Sequence, residues 1–168
     1  MRAFIGTKVI NAQPCTRREW CDFRGWELPA DENGDDKGYL VEYTDGGKAN
    51  TTEFAGYVSW SPKEVFELAY RSFGAGITFG DALIMLKQGK RVARAGWNGK
   101  GMYLAIQWGS VIPPENARGG VALCLAKEGK QEINILPHID MRAADGSCVV
   151  GWLASQTDML AEDWVVLD

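Results

Sequence analysis

The chain has 168 residues, of which 46% are hydrophobic and 24% charged, a composition typical of an ordinary globular protein. Its formal net charge of −4 argues against a broad DNA or RNA surface, because neutralising phosphates needs a clustered basic face. The first residues, MRAFIGTKVINAQP, make a poor secretory signal, and no apolar run approaches the ~20 residues of a membrane span. Four cysteines without a CxxC pair favour a reducing cytoplasm over a disulfide scaffold.

The N-terminal part reads as short strands followed by one helix. AFIGTKVI, GYLVEY and FAGYVSW are strand-like, and DENGDDKG is an acidic loop. In WSPKEVFELAYR the pattern predicts a helix with Ser61 as N-cap, Pro62 at the first helical position and Glu64 closing a capping box. Its apolar face is predicted to comprise Val65, Leu68 and Ala69. The glycines of SFGAGI (72–77) indicate a domain boundary.

The C-terminal part repeats this organisation with a clearer helix. In ITFGDALIMLKQGK, Thr78 can cap, Asp81 lies three residues later and Gly89 can end the helix. The apolar stripe is Phe79, Ala82, Leu83 and Leu86. RVARAGW and KGMYLAIQW flank Asn98-Gly99, which is a hairpin signal; VALCLA, INILPHI and WVVL are further strand candidates, with Asp145-Gly146 as a turn. The sequence therefore predicts an α+β fold of two small domains, 1–73 and 77–168, each a mostly antiparallel sheet with one main helix.

Catalytic patterns are sparse. The single histidine, His138, and Asp140 can share one strand face as two metal ligands, although a hydrogen-bonded strand residue is the simpler interpretation. Asp158 and Glu162 can face together on a helix as an acid–base pair; alternatively, Ser155 or Thr157 caps a short helix with Asp158 in its first turn. There is no GxxxxGK[ST] or GxGxxG motif to support nucleotide hydrolysis or dinucleotide redox chemistry.

Two features indicate ligand binding. GWNGKG (96–101), which follows Arg94 and contains Lys100, offers backbone N–H groups and two cations to an anion, although a plain type I′ turn would also explain it. Trp97, Trp152 and Trp164 occur among Gly, Asn, Gln, Thr and Asp rather than in apolar runs. Such tryptophans can stack on a flat ligand, and core packing is the alternative.

Two unbroken stretches carry a resemblance to a known family. FGDALIMLKQGKRVARAGWNGKGMYLAIQ and INILPHIDMRAADGSCVVGWLASQTDMLAEDWVVL closely resemble the phage family called Thoeris anti-defence protein two. The resemblance runs from about Ile77 to the C-terminus. The N-terminal block, with GYLVEY and GYVSWSPKEVFELAYR, resembles a separate small phage domain of unknown function.

The resemblance implies a binding protein rather than an enzyme. Members are phage sponges that sequester the cyclic ADP-ribose-type signal of the bacterial Thoeris defence, and some also capture cyclic oligonucleotides. It further implies a homotetramer with signal sites between protomers. We expect no cofactor, action in the cytoplasm of the infected host cell, and no DNA, RNA or membrane as a partner. The alternatives are a phosphoesterase-like enzyme that degrades the signal through Asp158, Glu162 or His138, and a structural or interaction module of the phage.

The chemistry of a cyclic ADP-ribose suggests a role for each residue of the two motifs. Trp97 and Trp152 are the expected stacking surfaces. Arg94 and Lys100, with the GWNGKG backbone, are the expected diphosphate partners. The expected ribose and base-edge contacts are Asn98, Gln156, Thr157 and Asp158. No catalytic residue and no metal ligand is expected.

Overall fold

A computed structural model describes residues 2, 3, 6, 8–73 and 76–167. The chain divides into two compact units, Met1–Tyr70 and Arg71–Asp168. Each unit combines helices with antiparallel sheet, so the α+β class is confirmed. Over the described ranges, no helix has both the length and the apolar character needed to cross a bilayer.

The N-terminal unit is a three-stranded antiparallel sheet with two helices. The strands β1 (Ile10–Pro14), β2 (Gly38–Tyr43) and β3 (Tyr57–Pro62) lie in the order β1-β2-β3. The helices are α1 (Arg17–Arg24) and α2 (Lys63–Ala69). Helix α1 was not predicted from the sequence, although its N-terminus carries a full capping box between Thr16 and Glu19. The core of this unit comprises Cys15, Trp20, Cys21, Leu40 and Val58.

Three predictions for this unit are wrong. β1 begins at Ile10 rather than at the start of AFIGTKVI, of which residues 4, 5 and 7 lie outside the described residues. Ser61 does not cap α2, because it pairs with Tyr39 inside β3; the N-cap is Pro62, which has no side-chain capping bond. The predicted apolar face of α2 is exposed, since the helix instead packs Phe66 on Tyr39, with ring centroids 4.0 Å apart.

The C-terminal unit is a five-stranded antiparallel sheet, with α3 (Phe79–Lys87) packed against β4, β5 and β10. The strands are β4 (Arg91–Arg94), β5 (Tyr103–Gln107), β8 (His138–Arg142), β9 (Cys148–Val149) and β10 (Trp164–Leu167), in the order β10-β4-β5-β8-β9. Thr78 and Asp81 form the predicted capping box of α3, and Gly89, with φ of 82°, follows its end. The short α5 (Gln156–Met159) contacts α3. The core comprises Ile77, Ala82, Met85, Leu86, Val92, Leu104 and Trp164.

Between β5 and β8 the chain forms a second, smaller substructure. It contains β6 (Ser110–Ile112), a 3-10 turn (Pro114–Asn116), α4 (Gly120–Lys127) and β7 (Ile133–Ile135). The prediction of a strand at VALCLA is wrong: its half-buried residues, Ala122, Leu123, Leu125 and Ala126, follow helical spacing. INILPHI is two strands, because Leu136-Pro137 separates β7 from β8.

Of the two predicted turns, one is wrong and one is confirmed. β4 and β5 pair as predicted, but they are joined by residues 95–102 rather than by a two-residue turn. A type I′ turn needs positive φ at Asn98; no described residue other than glycine has positive φ, so that interpretation is wrong. The Asp145-Gly146 turn is confirmed, with Gly146 at φ 89° and the Ser147 N–H donating to Asp145 Oδ1 at 2.9 Å.

Candidate ligand-binding site

The GWNGKG loop and the GWLASQTD segment meet at one end of the sheet. β4 ends at Arg94, which lies opposite Trp164 in the pairing of β4 with β10. The loop that follows places the Trp97 ring centroid 6.3 Å from that of Trp152. The Trp97 indole N–H also donates to Asp158 Oδ1 at 3.3 Å. Two motifs some 55 residues apart in sequence therefore form one surface.

Arg94 joins the two segments through two carboxylates. Its Nη1 lies 2.9 Å from Asp158 Oδ1, and its Nε donates to Asp163 Oδ1 at 2.8 Å. Nη1 also donates to the Thr157 carbonyl at 3.4 Å. The other oxygen of Asp163, Oδ2, accepts the Gly96 N–H at 2.8 Å. The guanidinium and the start of the loop are therefore held by the same carboxylate.

These contacts shift the pKa values of Arg94, Asp158 and Asp163. Hydrogen bonds from Arg94 first, and then from the Gly96 N–H, hold the pKa of Asp163 below its usual value. Partial burial raises the pKa of Asp158, but hydrogen bonds from Ser155, Arg94 and Trp97 outweigh it and lower the pKa overall. Asp163 and then Asp158 raise the pKa of Arg94. All three groups are charged at neutral pH, so the cluster carries a net charge of −1.

The aromatic part of the surface rests on a buried tryptophan. Trp164 is 0% exposed, and its ring centroid lies 5.5 Å from that of Trp97 and 6.3 Å from that of Trp152. Phe79 packs on Trp164 from α3, with centroids 5.4 Å apart. Trp97 and Trp152 meet edge to face at 67° and are only partly buried. They therefore form a corner whose remaining surface can receive a flat ligand.

The other predicted site residues lie at the margin of this surface. Asn98, Lys100, Gln156 and Thr157 are exposed. The capping interpretation of the second segment is confirmed: Ser155 is the N-cap of α5, and Asp158 completes a capping box with it. Asp158 accordingly takes part in the cap of α5 and also accepts hydrogen bonds from Arg94 and Trp97.

Asp163 belongs to this cluster but was not predicted as a site residue, because the sequence pattern favoured another pairing. It had placed Asp158 opposite Glu162, but Glu162 is exposed and the carboxylates that share Arg94 are Asp158 and Asp163. The available signal was that Asp163 directly precedes a strand and Arg94 ends one. This signal predicts a contact between Asp163 and Arg94 only when it is already known that β10 pairs with β4.

The predicted pair of His138 and Asp140 lies on one strand without a third metal ligand among the described residues. His138 Nδ1 lies 2.8 Å from the Leu136 carbonyl oxygen and Nε2 lies 3.5 Å from Asp140 Oδ1, so this histidine is a hydrogen-bonded strand residue. Within the part of the chain that the structure describes, no three His, Cys, Asp or Glu residues are arranged to hold a metal ion. All four cysteines are free.

These features define an α+β domain in which aromatic and polar side chains of two distant segments form one surface over the buried Trp164. The family model described as the Thoeris anti-defense 2-like domain matches residues 77–167, so the chain belongs to that family of anti-defence proteins. A relative named Thoeris anti-defense 2, from Bacillus phage SP01, is 36% identical over 91 residues, which cover 54% of this chain and 94% of the relative. The resemblance of the C-terminal part is therefore confirmed, while that of the N-terminal block stays a prediction.

Proposed function

We propose that the C-terminal domain, 77–168, sequesters a cyclic nucleotide signal of a bacterial defence by noncovalent binding. The expected ligand is of the glycocyclic ADP-ribose type, and the expected place of action is the cytoplasm of the infected cell. The observation that carries the proposal is the meeting of the two family motifs in one surface, through Trp97, Trp152 and the Arg94–Asp158 pair. This surface lies entirely inside the region that matches the family.

The composition of the surface suits such a ligand. A purine can stack on the uncovered surface of Trp97 or Trp152, which supplies about 1–3 kcal/mol for each base. The exposed amide and hydroxyl groups of Asn98, Gln156 and Thr157 can bond to ribose and base edges. A nanomolar complex requires about −12 kcal/mol, so charge-assisted hydrogen bonds and enclosure must supply most of the affinity.

The state of Asp158 supports binding without cleavage. Asp158 accepts hydrogen bonds from Ser155, Arg94 and Trp97, and its pKa lies below the usual range. A general acid or base needs a pKa near the working pH and a free site toward the substrate. Asp158 has neither, which supports a sponge over a signal-degrading enzyme.

We also propose that the domain self-associates, as a homotetramer, with sites completed by a neighbouring protomer. Five exposed apolar side chains fall between residues 149 and 160, beside the proposed site; Leu153 is 89% and Leu160 81% exposed. Apolar surface of this kind marks interfaces.

Leu153→Asp with Leu160→Asp should lower the molar mass measured by light scattering and weaken capture. Leu68→Asp, on the exposed face of α2, is the matched control and should change neither.

The direct test is calorimetry of the purified full chain with glycocyclic ADP-ribose and a panel of cyclic oligonucleotides. The protein is then heat-denatured and the released ligand analysed. We expect tight binding, intact recovered ligand, and loss of binding in Trp97→Ala and Trp152→Ala. Recovery of a cleaved product would establish an enzyme. Failure to bind any member of the panel would favour a structural or interaction module.

A further inference from the structure

The GWNGKG loop divides into two halves that differ in their hydrogen bonding. In the first half both backbone N–H groups are used: Gly96 donates to Asp163 Oδ2 at 2.8 Å and Trp97 to the Arg94 carbonyl at 3.3 Å. Ala95, just before the loop, donates to the Asp163 carbonyl at 2.9 Å. In the second half, from Asn98 to Gly101, no described residue accepts a hydrogen bond from a backbone N–H. Four successive donors therefore remain for a ligand.

The two halves also differ in charge. Arg94, at the first half, is neutralised by two carboxylates, so its surroundings are net negative and repel an anion. At the second half, Arg142 donates from Nη1 to the Gly101 carbonyl at 2.6 Å and forms no ion pair with a described residue. Lys100 is exposed and likewise unpaired among the described residues. This end is net positive even with Asp145 nearby, whose carboxylate is engaged mainly by Ser147.

The signs of φ at this end match those of an anion-binding nest. Lys100 has negative φ and Gly101 has φ of 73°. A residue of negative φ followed by a left-handed one is the order found in anion-binding nests, where successive N–H groups converge. Ala144 and Met102 pack where a Gly99 Cβ would lie, so the second half of the loop is supported from below.

We propose that the second half of the loop, Asn98–Gly101, with Lys100 and Arg142, binds the anionic group of the ligand, and that Arg94 is a positioning residue. Arg142 was not among the residues selected from the sequence. The assignment rests on the proposed function and fixes the orientation of the ligand. Its diphosphate lies toward Lys100 and Arg142, and its base lies toward Trp97 and Trp152. Arg94 acts indirectly, by holding the Trp97 end of the loop against Asp158 and Asp163.

The probe is inorganic pyrophosphate, titrated into the full chain and followed by amide chemical shifts. We expect the largest shifts at Asn98–Gly101. Arg142→Gln and Lys100→Gln should each weaken pyrophosphate binding about tenfold, because each removes a charge-assisted hydrogen bond. Arg142→Lys, which keeps the charge, should retain most of the affinity. Lys90→Gln is the matched control, since Lys90 is exposed and lies outside the loop.

The possible outcomes distinguish failure of the anion site from failure of the proposed function. The assignment is overturned if the shifts centre on Arg94 and Asp158, if wild-type protein gives no shifts, or if both glutamine variants bind pyrophosphate like wild type. Capture of glycocyclic ADP-ribose that survives both variants would likewise overturn it while leaving sequestration intact. Pyrophosphate binding at the loop, without capture of any nucleotide in the panel, would support the anion site and remove the proposed function.

Discussion

Replacing Arg94 with alanine should destabilise the C-terminal unit as well as affect its ligand. The Arg94 side chain is 19% exposed and its partners Asp158 and Asp163 are 14% and 35% exposed. An exposed ion pair contributes at most about 1 kcal/mol, whereas removing one partner of a fully buried pair costs about 3–5 kcal/mol. This partly buried cluster lies between those cases, so we expect a loss of about 2 kcal/mol. For a unit of this size the melting temperature should fall on the order of 10 °C.

The pH dependence identifies the cause of that loss. Both carboxylates have folded-state pKa values below their ordinary ones, so their contribution is fully present above the unfolded pKa of about 3.9 and is lost as pH falls through the folded pKa. The difference in unfolding free energy between wild type and Arg94→Ala should therefore be largest at neutral pH. It should shrink as the pH falls below about 4.

Urea unfolding followed by tryptophan fluorescence, at several pH values between neutral and about 3.5, measures this difference. Arg71→Ala is the matched control, because Arg71 lies 3.8 Å from Asp81 in a pair whose arginine is 55% exposed, and it should cost under about 0.5 kcal/mol. An Arg94→Ala penalty that equals the control, or that does not change with pH, would refute the reasoning. Loss of ligand capture in Arg94→Ala alone does not identify Arg94 as a ligand contact.

Three further substitutions test the framework beneath the site. Trp164→Ala should cost about 3–5 kcal/mol, because the side chain is fully buried, and it should abolish the cooperative unfolding transition of this unit in calorimetry. Gly96→Ala should cost about 1–3 kcal/mol in urea unfolding, since its Cβ would lie 2.7 Å from Asp163 Oδ2; a neutral effect would show that the loop moves freely. Ser155→Ala removes the cap of α5 and should cost about 1 kcal/mol, whereas Ser155→Thr, which keeps the hydroxyl, should restore most of it.

Local patterns predicted the parts of the fold that depend on neighbouring residues. The cap at Thr78, and a cap at Ser155 or Thr157 with Asp158 in the first turn, were predicted from the sequence, and each motif is closed within three residues; the structure shows that Ser155 is the cap. Gly89 and the Asp145-Gly146 turn were read correctly for the same reason. Local patterns failed where an apolar run fits both the helical and the strand periodicity, as in VALCLA, which is helical. They also failed at Ser61, where a strand continues through residues that match a helix cap.

The sequence by itself determined the family, the α+β class and the two segments that carry the aromatic and polar residues. Only the tertiary structure decided how these residues are paired. Arg94 and Asp163 are separated by 69 positions, and they meet because β4 and β10 pair in one particular register. Register depends on how a whole strand buries its apolar face, so no local pattern contains it. The same long-range packing neutralises Arg94, whereas the amides of Asn98–Gly101 have no hydrogen-bond acceptor among the described residues.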